Sequence, residues 1–185
     1  AGPPMQKETT AGNYFVANYP PFAFWKQEHI ADFLTALERP PQAGTPLGLY
    51  THIPFCRKRC HFCYFRVYTD KNARDVAHYI DTLVREWELY QAQPATAGRA
   101  LDFVYFGGGT PSFLSTPQLE TLVGRLGALT PWTGAEEITF ECEPGTLNPN
   151  KVKAIKDIGV TRLSLGIENF DDRILEINGR AHRTK

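Results

Sequence analysis

The sequence predicts an α/β protein, the N-terminal portion of a partial (β/α) barrel with about four βα units, preceded by an aromatic-rich N-terminal arm. Two observations lead there. From residue 48 onward, short apolar runs alternate with segments of helical period, an order that demands a parallel sheet with right-handed crossovers. The residues that carry chemistry then cluster at the C-terminal ends of those runs, where such folds place their active sites. A doubly wound open sheet has the same order of elements and remains the alternative. Four units are too few to close a barrel, and the chain stops at His182-Arg183-Thr184-Lys185, just after a helix, so a truncated or partly ordered protein is expected.

Residues 1–47 read as an arm and linker, and residues 48–185 as the core. The stretch 13–25 (NYFVANYPPFAFW) is dense in aromatics, and Ile30, Phe33, Leu34 and Leu37 follow at helical spacing. The run Pro40-Pro41-Gln42-Ala43-Gly44-Thr45-Pro46 has linker composition. The first strand is expected at 48–53. Asn72 caps a helix to about Gln91 with Val76, Ile80, Leu83, Val84 and Trp87 on one face. A second strand at 101–106 is nearly all apolar, as strands covered on both faces are. Thr116-Pro117 opens a helix carrying Leu119, Leu122, Val123 and Leu126, with proline in the first turn, where its missing N–H is harmless. The third strand spans 137–142, and Asn148-Pro149 opens a helix stopped by Gly159. The fourth strand is placed at 162–167, and Asp171 caps a last helix ending near Gly179.

Composition excludes several roles. Twenty basic residues balance twenty acidic ones, so no net field draws the chain to nucleic acid or an anionic membrane. No apolar run approaches the ~18 residues a membrane span needs, and no signal-peptide pattern opens the chain. Three of the four cysteines fall within eight residues, a poor disulfide framework and a good metal site. A cytoplasmic location is expected.

Those cysteines, Cys56, Cys60 and Cys63, have the spacing C-x3-C-x2-C after the first strand. Three thiolates can hold three irons of a four-iron cluster and leave the fourth iron open for chemistry. Arg57, Lys58 and Arg59 in the same loop favour thiolates and an anionic cluster. A zinc site completed by His61 or His52, or free thiols, are the alternatives at this point. Zinc pairs usually come as two distant C-x2-C units, and a second unit is missing.

The loop resembles that of the radical S-adenosylmethionine (SAM) enzymes. The wider run Tyr50-Thr51-His52-Ile53-Pro54-Phe55-Cys56 resembles the oxygen-independent coproporphyrinogen III oxidase group within them, and the likeness extends from about residue 48 to residue 182. It implies a (β/α)6-type radical SAM barrel, a [4Fe-4S] cluster on Cys56, Cys60 and Cys63, and SAM chelating the open iron. It also implies a reductant such as flavodoxin or ferredoxin. One electron then cleaves SAM to methionine and a 5′-deoxyadenosyl radical, which abstracts hydrogen from substrate.

The remaining site residues are carried by further motifs. Phe106-Gly107-Gly108-Gly109-Thr110-Pro111-Ser112 would be a tight turn by itself. It resembles the segment that contacts the methionine part of SAM, which implies that role for Gly108, Gly109 and Thr110. Glu141 and Glu143 share one face of the third strand. Glu141 alone reads as a solvated strand tip or a ligand-binding acid; the resemblance implies the acid that meets the ribose hydroxyls. Cys142 reads as a packed strand cysteine. Arg180 reads as a helix-end cation, and it resembles a ligand-contacting position, as do Tyr50 and Glu168. The family usually has glutamine where this chain has Glu168.

Several chemistries share these motifs. The group includes oxidases acting on coproporphyrinogen III, a haem-trafficking protein, radical SAM methyltransferases and a haem-opening methyltransferase. The oxidases typically carry a cysteine two residues past the third cluster ligand, where this chain has Phe65. The trafficking relatives start close to the first strand, unlike this chain with its arm. The resemblance therefore implies a radical SAM enzyme acting on a tetrapyrrole, haem or another large conjugated molecule, with a haem-binding chaperone or a methyltransferase as alternatives.

Overall fold

Four parallel strands form one sheet in the order β1-β2-β3-β4, in a computed structural model that describes residues 24–184. They are β1 (Gly48–Ile53), β2 (Phe103–Gly108), β3 (Glu137–Cys142) and β4 (Arg162–Leu165). Helices α2 (Ala73–Gln91), α3 (Thr116–Leu129) and α4 (Pro149–Asp157) make the three crossovers. Helix α1 (Ile30–Leu37) precedes β1, and α5 (Asp172–Ile177) follows β4. A doubly wound sheet reverses its strand order at a switch point. Here the order never reverses, and successive right-handed crossovers put every connecting helix on one face. The sheet is the wall of a barrel segment.

Residue chemistry accounts for each helix start. Asn72 accepts from the backbone N–H of Arg74 and Asp75 while Asp75 reaches back, a complete capping box. Ser115 and Gln118 repeat the arrangement for α3, Asn148 caps α4 through the Lys151 N–H, and Asp171 caps α5. The inward stripe of α2 (Val76, Ile80, Val84, Trp87) and that of α3 (Leu119, Leu122, Val123, Leu126) meet alternate strand residues. Phe106 and Phe140 lie at the centre, fully buried, with ring centroids 5.4 Å apart. Each such side chain contributes roughly 1.5–3 kcal/mol.

Two strands differ from the expectation. β2 begins two residues later and runs into the glycine triplet, because Asp102 is engaged by Leu47 through N–H···O bonds in both directions (2.6 and 2.8 Å). Its last pairings are His52 with Gly107 and Ile53 with Gly108. β4 ends at Leu165, where the Gly166 N–H turns to the Cys142 carbonyl and Ile167 bonds back to Leu165. The expectation for residues 13–25 falls, except for its last two, outside the described residues. α1 has no buried residue; it touches the core through Phe33 against Tyr90 and through its Leu37 carbonyl.

Candidate functional site at the strand ends

The cysteine loop is fixed at its base and its tip. Phe55 forms a parallel bridge with Tyr68: Cys56 N–H donates to Tyr68 O (3.1 Å) and Tyr68 N–H to Pro54 O (2.8 Å). The Phe55 ring is buried between Tyr79 and Phe113. At the tip, His61 N–H donates to Asn178 O (3.0 Å) and Cys63 N–H turns back to Cys60 O. Arg180, just past α5, directs its guanidinium into the loop rather than along its helix axis. Nη1 lies 3.2 Å from Cys60 Sγ, and Nη2 donates to Gly166 O.

The glycine segment closes on this loop from the end of β2. Gly108 has φ of 114°, a left-handed backbone that favours glycine. Gly109 donates to Ile53 O (2.8 Å), and a Cβ on it would lie 3.0 Å from Cys56 Sγ and from two carbonyl oxygens. Buried Thr110 follows, its Oγ1 3.2 Å from Cys56 Sγ. At the end of β3, Glu141 accepts from Tyr105 OH (2.6 Å) and from Gly108 N–H (3.2 Å). Buried Glu143 accepts from Gly145 N–H, and His182 Nδ1 lies 3.2 Å from its Oε1 but off the line of a hydrogen bond. After β4, Glu168 holds a left-handed backbone (φ 66°), alone among the described non-glycine residues. Such strain costs on the order of 1–3 kcal/mol and gathers at functional sites.

Cys56, Cys60, Cys63, Gly108, Gly109, Thr110, Glu141, Glu168 and Arg180 all border one cavity of about 280 Å³. Tyr50 does not: it stands further back on the open face of the sheet, stacked on Tyr105 and bonded to His52 Nδ1 (3.0 Å). A hollow of about 450 Å³ between β1 and α2 is lined mainly by apolar side chains such as Leu37, Leu49 and Trp87, and gathers no comparable chemistry. Residue-type reasoning missed Tyr105, Ser112, Lys151 and the Glu143–His182 pair. Their partners lie many residues away, and no local pattern announces them.

Electrostatics tie the thiols together. Burial pushes the Cys56 thiol up, the Thr110 hydroxyl pulls it down, and the charges of Cys63 and Cys60 push it up again. Cys142 belongs to the core, and burial pushes it up to about 11, as expected of a packed cysteine. His52 is lowered by burial, its ring lying against Gly108. The His61 ring lies against Gly179. Neither ring borders the cysteine cavity. Among the described residues, no three His, Cys, Asp or Glu side chains converge as ligands of one metal ion.

The cavity lies where parallel α/β folds place their sites, and the chain belongs to the radical SAM superfamily, whose family model matches residues 50–185. Among individual proteins, it is 37% identical over 137 residues to the haem chaperone HemW of Bacillus subtilis, covering 74% of this chain and 35% of that protein. It is 32% identical over 148 residues to the oxygen-independent coproporphyrinogen III oxidase of Escherichia coli, covering 80% of this chain and 32% of that one. The solved structure of coproporphyrinogen III oxidase (HemN) from Escherichia coli, described as a radical SAM enzyme, superposes with a TM-score of 0.75 at 28% identity. That match covers 91% of this chain and 38% of the other. The chain thus spans about a third of the length of the curated relatives it matches. No helix among the described residues is long and apolar enough to cross a membrane.

Proposed function

We propose that this chain carries the cofactor-binding half of a radical SAM enzyme acting on a tetrapyrrole. In this reading Cys56, Cys60 and Cys63 would hold a [4Fe-4S] cluster, and Gly108, Gly109, Thr110, Glu141, Glu168 and Arg180 would hold SAM beside it. The observation that supports it best is the shared cavity: the three thiols and the six other residues border one space of about 280 Å³, room for a body larger than one ion. Gly109 leaves that body room, since any side chain there would press on Cys56. When bound, the cluster would supply the one electron that cleaves SAM, and SAM the 5′-deoxyadenosyl group for hydrogen abstraction. The residues of this chain do the rest. Arg180 donates to the Cys60 sulfur and stabilises its thiolate. Thr110 does the same at Cys56. Glu141 presents a fixed carboxylate to the ribose hydroxyls. Tyr50 does not border the cavity; it stacks on Tyr105, which bonds Glu141.

The substrate class rests on the relatives, which are named for coproporphyrinogen III and for haem. A second reading, a haem-binding chaperone retaining the cluster, is favoured by the 37% identity to the Bacillus protein. Anaerobic reconstitution of the full-length gene product, followed by reduction with SAM present, tests the proposal by assay of 5′-deoxyadenosine. Its formation is expected. Zinc at one per chain, with no uptake of iron on reconstitution, would remove the radical reading. Stoichiometric haem binding without deoxyadenosine would move the assignment to the chaperone.

A further inference from the structure

Tyr105 is absent from the cavity wall, yet it makes the shortest polar contact on the acid that borders it. Its phenol donates to Glu141 Oε1 at 2.6 Å, while the Gly108 N–H takes Oε2 at 3.2 Å. Two donors on the two oxygens fix the rotation of the carboxylate, and each oxygen keeps a lone pair free. The tyrosine is itself held. Its ring stacks on Tyr50 with centroids 5.9 Å apart, and both rings lie over Gly107, where a Cβ would come within 2.8 Å of the Tyr105 ring and 3.0 Å of the Tyr50 ring. The Ser164 hydroxyl also interacts with the phenol, whose ionisation is pushed up to about 12 by burial and by Glu141. The phenol therefore stays a donor throughout the working pH range.

We propose that Tyr105 is the positioning residue that orients Glu141 to receive the two hydroxyls of a vicinal diol, the ribose of the bound nucleoside. The inference rests on the SAM-binding reading of Glu141 above. Tyr105 acts through Glu141 and does not touch the ligand. Rotational locking matters because a bidentate diol contact needs both carboxylate oxygens in one plane with both hydroxyls.

The test uses the full-length protein, reconstituted with iron and sulfide, in four forms: wild type, Tyr105→Phe, Glu141→Ala and the double variant. SAM dissociation constants are measured by equilibrium dialysis, alongside iron content and melting temperature. Tyr105→Phe is expected to raise the SAM dissociation constant about tenfold, the scale of one hydrogen bond to a charged group, with iron content unchanged. In the Glu141→Ala background it is expected to change nothing further, since the contact it supports is gone. A structural role would instead give the same loss in both backgrounds and would overturn the inference. The ratio of affinities for SAM and its 2′-deoxy analogue does not depend on the fraction folded. It is expected to shrink in Tyr105→Phe, and an unchanged ratio overturns the inference even if that variant is unstable. If Glu141→Ala binds SAM as tightly as wild type, the reading of Glu141 itself fails. If Glu141→Ala weakens binding and Tyr105→Phe does not, only the present inference falls.

Discussion

At the scale of single residues, the site depends on groups that approach too closely to be exchanged. Cys60 has Arg180 Nη1 3.2 Å from its sulfur, and Cys56 is wedged between Thr110 and a glycine. Two thiolates hold a four-iron cubane poorly. Cys60→Ala is therefore expected to lose the cluster, read as loss of its broad visible absorbance and of iron per chain; a variant at wild-type iron content would refute the ligand assignment. Glu141→Ala is expected to leave the cluster intact and weaken SAM binding by ~1.5–3 kcal/mol, the value of a charge-assisted hydrogen bond. Calorimetric titration with SAM measures it, and an unchanged dissociation constant removes Glu141 from the site. Arg180 teaches a general point. Its sequence context, one residue past a helix-ending glycine, reads as a dipole-capping cation. Its guanidinium instead reaches a sulfur 120 residues earlier in the chain, a contact no local pattern encodes.

At the scale of elements, the glycine segment is held from behind by α4. Lys151 is buried, and its Nζ donates to the carbonyls of Leu114 and Ser112. The Ser112 hydroxyl accepts from Glu143 N–H (3.0 Å) and pairs with Thr146 Oγ1 (2.5 Å). The Thr110–Leu114 turn is thus locked to the end of β3, which sets Thr110 relative to Glu141. Burial lowers the Lys151 ammonium below its ordinary 10.5, an effect Cys142 partly offsets. The sign follows from linkage. Just below pH 10.5 the unfolded chain binds more protons than the folded one, so this group adds stability as pH rises through that window. The stability difference between wild type and Lys151→Met is therefore expected to grow in favour of wild type as pH rises toward 10.5. Urea unfolding at a series of pH values checks this, and a flat difference would refute it. Element boundaries were legible wherever caps and periodicity coincide, as at Asn72, Asn148 and Asp171. The ends of β2 and β4 shifted because pairing partners decided them: Asp102 is engaged by Leu47, and Gly166 turns to Cys142.

At the scale of the whole molecule, β2 and β3 are the inner strands of the four that the described residues form. β2 and β3 are hydrogen-bonded on both sides and carry the fully buried Phe106 and Phe140. β4 is four residues long and pairs with β3. Hydrogen exchange followed by mass spectrometry is expected to find the slowest strand amides in β2 and β3. Equal protection across all four strands would contradict this hierarchy. The alternation of strands and helices, the cysteine spacing, the glycine triplet and Glu141 were all readable from sequence. Hydrophobic period and residue chemistry are local properties, and the resemblance built on those motifs led to the family that the comparison with known proteins then supported. Only the tertiary structure decided between barrel wall and doubly wound sheet, since both have the same order of elements and differ in which strands pair. It alone also brought Arg180 to Cys60, Tyr105 to Glu141 and Lys151 to the glycine segment. These contacts span 36 to 120 residues, and they form because parallel strands in register deliver all their C-terminal ends to one edge of the sheet.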